Sequence, residues 1–153
     1  MRDSNTKTSH QELMELPYDV FETNILQVAR YLFVGLDQNA KQDLTPALKI
    51  SQVMFGWQYG QVFAKQILTL INDVLQVRSS EFNYHCPNCA KYRMFATQPE
   101  RYLINSLHFY RRQNQSIYRS NALLLCEGGD SSAVFKSIRL ISTTACQIGV
   151  KIN

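Results

Sequence analysis

From Gln61 to Arg78 the chain carries apolar residues at three- and four-residue spacing: Val62, Phe63, Ile67, Leu70, Ile71, Val74 and Leu75, with Lys65, Gln66, Asn72, Asp73 and Gln76 filling the other positions. That period lays one apolar stripe along a helix and leaves the opposite face polar. A stripe of this length has to be covered by other elements. The spacing therefore predicts a central core helix ending near Arg78.

The flanking segments supply that cover. Phe21, Ile25, Val28, Ala29, Leu32, Phe33 and Leu36 predict an amphipathic helix over 17–36, with Pro17 in its first turn and Asp37-Gln38-Asn39 closing it. Thr45-Pro46 reads as a helix start, with Thr45 as cap, continued by Leu48, Val53, Met54 and Trp57. Gly56 and Gly60 flank an expected break near Gln58, before the core helix. Thr97-Gln98-Pro99-Glu100 is a capping box opening a helix to about Arg112 or Gln113. After a turn at Asn114-Gln115-Ser116, Ile117 to Cys126 reads as helix, stopped by Glu127-Gly128-Gly129, where Gly supplies a left-handed residue. Asp130 caps a last helix carrying Val134, Phe135, Ile138, Leu140 and Ile141.

The expected architecture is all-α, with five to six helices in a compact, bundle-like domain over 13–153. Residues 1–12 (MRDSNTKTSHQE) are polar and aperiodic and read as a flexible tail. A chain of 153 residues fits a single domain with a self-sufficient core. No secretory pattern opens the chain and no apolar run approaches the ~18 residues of a membrane helix, so a cytoplasmic protein without a membrane partner is expected.

Residues 79–96 interrupt the helical pattern and contain His85-Cys86-Pro87-Asn88-Cys89 among aromatic residues. In a reducing compartment, cysteines point to metal or thiol chemistry rather than structural disulfides. Two thiols two residues apart can hold one metal ion or close a redox-active disulfide. The Cys-Pro-x-Cys turn resembles the knuckle of zinc ribbons and rubredoxin-like sites, although Ala90 stands where many knuckles carry Gly. The resemblance covers a handful of residues. It implies a knuckle over 82–96, inserted between the N- and C-terminal helical halves, with Cys86 and Cys89 as thiolate ligands of a structural Zn²⁺.

A closed zinc site needs four ligands, and there is no second C-x-x-C. Cys126, Cys146, His85, His108 and His10 are the remaining candidates, with His10 in the tail. If the two helices either side of residue 115 run antiparallel, Cys126 lies level with about residue 104 and His108 about 6 Å further along. Cys126 is the preferred third ligand, and either His85 or His108 the fourth. The ordinary alternative for Cys126, in Leu123-Leu124-Leu125-Cys126, is a buried small hydrophobe. The competing functional expectation is a cytosolic thiol redox protein or sensor using the Cys86/Cys89 pair.

Charge is uneven along the chain. Residues 1–89 hold seven Lys/Arg against nine Asp/Glu, a net of −2, and residues 90–153 hold nine against three, a net of +6. Lys91, Arg93, Arg101, Arg111, Arg112 and Arg119 alternate with Tyr92, Tyr102, Phe109, Tyr110 and Tyr118. Cations meet phosphates and aromatic rings stack on bases, so a nucleic acid or an acidic protein is the expected partner. Exposed aromatics over 82–118 equally suit a homo-oligomer surface. Arg111-Arg112 at a helix C-terminus also complements the helix dipole. Phosphate loops, dinucleotide fingerprints, G-x-S-x-G and H-E-x-x-H are absent from the sequence, and Glu127 is the one acid beside a candidate ligand. The expectation is a non-enzymatic binding or regulatory module with a structural zinc site and a basic, partner-contacting C-terminal half.

Overall fold

The computed structural model describes residues 11–37 and 42–153. Residues 1–10 of the expected tail, His10 among them, and Gln38-Asn39 of the expected helix stop lie outside the described residues. Six α-helices form the described architecture: α1 (Val20–Leu36), α2 (Thr45–Phe55), α3 (Trp57–Val77), α4 (Gln98–Arg111), α5 (Gln115–Leu125) and α6 (Ser132–Gln147). Two-residue strands, β1 (Gln11–Glu12) and β2 (Phe95–Ala96), pair antiparallel, Gln11 opposite Ala96 and Glu12 opposite Phe95. The last two residues of the predicted tail are thus tied to the segment that follows the cysteine turn.

The core follows the period read from the sequence. Phe63, Ile67, Leu70, Ile71 and Val74 of α3 are buried with Ile25, Val28, Ala29 and Leu32 of α1, and with Val134, Ile138 and Ile141 of α6. Val62 and Leu75 lie at the edges of the α3 stripe and remain exposed. Helix α3 packs on α2 and α6, and α4 packs on α5, α1 and α6.

Several boundaries differ from expectation for local reasons. Helix α1 starts at Val20, after Pro17, because Asp19 caps it: the Asp19 side chain accepts from the Glu22 amide and Glu22 returns to the Asp19 amide. Thr45 is the first residue of α2 rather than its cap: Leu44 holds the cap position without a side-chain bond, and the Asp43 side chain accepts from the Thr45 amide. The break between α2 and α3 falls at Gly56, where φ is +87°, a value that suits glycine. Gly60 lies inside α3 as a close-approach residue, since a Cβ there would sit 2.4 Å from Gln52 Cα.

The stop after α5 is a Schellman ending in which Glu127 (φ +53°) takes the left-handed conformation just ahead of Gly128 (φ +76°), the expected glycine. Gly128 donates to Leu123 O at 3.0 Å and Glu127 to Leu124 O at 3.2 Å. Ser80 compensates from outside, its amide and hydroxyl both donating to Glu127 Oε1.

The C-terminal end of the segment between α3 and α4 is held by a buried side chain. Arg30 on α1 has no solvent exposure. Its Nε meets Glu100 Oε2 at 2.5 Å, Nη1 donates to Arg93 O at 2.7 Å, and Nη2 donates to Phe95 O and Glu100 Oε1. Glu100 also completes the predicted capping box of α4 by accepting from the Thr97 amide. Truncating one partner of such a buried pair strands the other's charge, so Arg30→Met is expected to cost about 3–5 kcal/mol of stability. Urea denaturation measures the cost, and faster amide exchange over 93–97 locates it.

Candidate functional site

The basic residues singled out in the sequence divide into those spent on the fold and those left over. Asp19 and Glu22 at the N-terminus of α1 meet His108, Arg111 and Arg112 at the C-terminus of α4 in a buried ionic cluster. Glu22 binds His108 Nδ1 at 2.8 Å, Arg111 Nη1 at 2.5 Å and Arg112 Nη1 at 2.8 Å. Asp19 takes Arg111 Nη1 at 2.7 Å and Arg112 Nη2 at 3.3 Å. The Arg111 guanidinium also lies over the Phe21 ring, 4.8 Å from its centroid. Acids at a helix N-terminus and cations at a helix C-terminus each answer the local dipole.

Arg111, buried, and Arg112, half-buried, are therefore engaged by the carboxylates of α1. Arg101 reaches Gln11 Oε1 at 3.2 Å and braces the first strand. Lys91 and Arg93 are exposed beside the cysteine turn, with Lys91 Nζ 5.3 Å from the Tyr92 ring centroid.

Arg119 has a different setting. It lines a cleft of about 390 Å³ where α4, α5 and α6 meet, together with Tyr110, Gln115, Tyr118, Phe135, Lys136 and Arg139. Arg119, Lys136 and Arg139 are exposed, no acid lines the cleft, and none of the three cations has a hydrogen-bonding or ion-pair partner among the described residues. The rings form a continuous wall: Tyr110 and Tyr118 are 5.1 Å apart in an edge-to-face contact, and Tyr118 and Phe135 are also 5.1 Å apart. Burial pushes the Tyr118 phenol above its ordinary pKa, Tyr110 adds to this, and the Arg119 and Arg139 charges oppose it. Lys136 and Arg139 were missed in the sequence. They flank the α6 core positions Val134, Ile138 and Ile141 at a three-residue interval, a pattern that marks two cations on one helix edge.

The cysteine segment is an ordered turn. Cys89 N donates to Cys86 O at 3.2 Å, and Cys89 O accepts from Arg93 N at 2.9 Å. Cys86 is exposed, Cys89 is half-buried and Pro87 is buried. Tyr31 donates to Asn88 Oδ1 at 3.1 Å, and the His85 ring stacks against Tyr92. Tyr84 donates to Asp37.

The five expected ligands, Cys86, Cys89, Cys126, His85 and His108, are not gathered. Among the described residues no three His, Cys, Asp or Glu side chains form a group that could hold a metal ion. Cys126 is fully buried in the core, where burial pushes its thiol pKa up. The His108 ring is committed to Glu22. Glu127 is engaged with Ser80, which holds its carboxyl below the ordinary value. No helix among the described residues is long and apolar enough to cross a membrane. No protein-family model, curated protein or solved structure matches the chain.

The ionic cluster has a pH signature. Burial alone would raise both carboxyls. For Glu22 the hydrogen bonds from His108, Arg112 and the Asp19 amide outweigh it, and for Asp19 those from the Glu22 amide and Arg111 do so, with both pKa values lowered as a result. A depressed folded-state pKa gives stability that is present above the unfolded value of about 4 and is lost as pH falls through the folded value. Stability against thermal unfolding should therefore fall below about pH 4. A Glu22→Gln variant should be less stable at pH 7 and show a flatter acid limb, which a series of melting curves checks.

Proposed function

We propose that this protein is a non-enzymatic binding module that takes a single-stranded nucleic acid in the α4–α5–α6 cleft. The supporting observation is the set of three unpaired cations, Arg119, Lys136 and Arg139, on a wall of aromatic rings with no acid among the lining residues. Exposed, uncompensated cations lower the cost of bringing in a polyanion, because each phosphate contact releases condensed counterions. The half-buried rings of Tyr110 and Phe135 offer apolar faces on which a base stacks. An acidic peptide would use the cations and leave those faces without a partner, which favours the nucleic acid.

The test is fluorescence anisotropy with a labelled single-stranded oligonucleotide over a salt series. Three phosphate contacts give a slope of log affinity on log salt of about −2, from roughly −0.7 per contact on single strands. Arg119→Glu combined with Arg139→Glu should abolish binding, and Lys49→Glu, away from the cleft, should leave it intact. No binding by the parent at low salt, or binding indifferent to the double reversal, sinks the reading.

The Cys86/Cys89 turn supports a second element of the module, a zinc site. Its supporting observation is a closed, pinned turn that keeps one thiol exposed and the other half-buried. Thiolates and tetrahedral Zn²⁺ suit each other. The rival use of the same atoms is a reversible disulfide, which would show as loss of two thiols under mild oxidation without loss of metal.

A further inference from the structure

The geometry points to a zinc ion shared between two copies of this chain, with Cys86 and Cys89 of each copy as its four ligands. This rests on the reading of the two cysteines as zinc ligands and adds who supplies the rest of the site. A structural zinc takes four protein ligands in a tetrahedron. The turn supplies two, and among the described residues nothing else converges to make a group of three. The inward candidates are occupied: Cys126 lies in the core and His108 holds Glu22. A second pair of thiols with the same spacing and the same outward setting is available from another copy, and two such turns related by a two-fold axis meet as one self-complementary patch.

Three features of the turn suit that arrangement. First, it is already ordered. Tyr31 holds Asn88, Arg30 holds the Arg93 carbonyl at 2.7 Å, and the turn closes on itself through Cys89 N and Cys86 O. Little chain entropy is then lost when the thiols take up metal. Second, Tyr92 and Met94, 47% and 51% exposed, place apolar surface beside the thiols. Third, the charges match. Two identical faces bearing Lys91 and Arg93 repel one another when apposed, whereas a zinc ion with four thiolates has a net charge of −2 and sits among the four cations the two copies bring. The ion therefore relieves the repulsion that otherwise keeps the copies apart. Assembly involves no change of oxidation state: four thiols give up four protons to solvent and four Zn–S bonds form.

The experiment uses the full chain, reduced and stripped of metal with chelator, then titrated with zinc while mass is followed by sedimentation velocity and metal by atomic emission. The expected result is a doubling of mass at about one zinc per two chains, with Cys86 and Cys89 shielded from a thiol reagent until chelator is restored. Cobalt in place of zinc should show the absorption of a tetrathiolate site. Cys86→Ser and Cys89→Ser should each remove the mass change while circular dichroism and melting stay those of the metal-free parent, and Cys146→Ser should behave as the parent. One zinc per chain with unchanged mass overturns the sharing and leaves the zinc reading standing. No zinc uptake, or closure to a Cys86–Cys89 disulfide in its place, overturns both. A mass already doubled after chelation and indifferent to zinc also overturns the sharing.

Discussion

A guanidinium without contact to water has to find its partners inside the protein, and Arg30 finds them on segments remote in sequence. One carboxylate, Glu100, meets it from the start of α4, and two carbonyls, of Arg93 and Phe95, meet it from the segment leading into that helix. The arrangement fixes three things together: the position of α1 against α4, the path of residues 93–96, and the cap of α4, because Glu100 serves both Arg30 and the Thr97 amide. Thr97 extends the junction by donating to Asn83 O at 2.7 Å, on the far side of the cysteine turn. A turn that would otherwise be a loose excursion is thereby held at both ends. Such a pair contributes less to net stability than to register, since desolvation consumes much of the Coulombic attraction.

The second ionic cluster works at the opposite ends of the same two helices. There Asp19 and Glu22 consume Arg111, Arg112 and His108, so the most conspicuous basic pair in the sequence is structural. The two junctions separate the cations into two populations. Those that meet carboxylates on α1 or α4 set the fold. Those on the outer edges of α5 and α6 meet no carboxylate among the described residues. Net charge in the second half of the chain says how many cations there are, and packing decides which remain available.

Legibility in the sequence followed the range of the interaction. The α3 stripe and the Thr97–Glu100 capping box were readable because each is decided within a few residues. The Asp19–Glu22 box carried the same signal and was overlooked in favour of Pro17, which the first-turn preference of proline made attractive. Arg30 gave a weaker clue: it stands four residues after Leu26 and three before Phe33, on the buried side of its helix, where a charge demands a partner. The identity of that partner, 70 residues away, was not readable. The cleft was half legible for the same reason. Arg119 was identified from its neighbours, while Lys136 and Arg139 join it only once α6 is laid beside α4 and α5. The structure does not bring Cys126 and His108 together with the cysteine turn, because axial bookkeeping along a helix pair places residues at a height and says nothing about which way they face.

The cleft and the cysteine turn sit on different elements, and their separation bears on how the module would work. Under the proposed reading a cleft with three cations would give modest affinity for a single strand, since each contact is solvated and screened at physiological salt. Two chains joined through the turn, as proposed, would present two clefts together, since Arg30 and Tyr31 tie the turn to α1 and α1 is tied to α4 through both ionic junctions. A strand long enough to reach both would then meet the second cleft at a high effective concentration, and overall affinity would rise by roughly 10²–10⁴ without any new contact. On this proposed arrangement zinc would act on nucleic-acid binding from outside the cleft, through the number of clefts presented together. Short strands, which engage one cleft at a time, would then be indifferent to the metal, and the dependence on zinc would appear only as the strand lengthens.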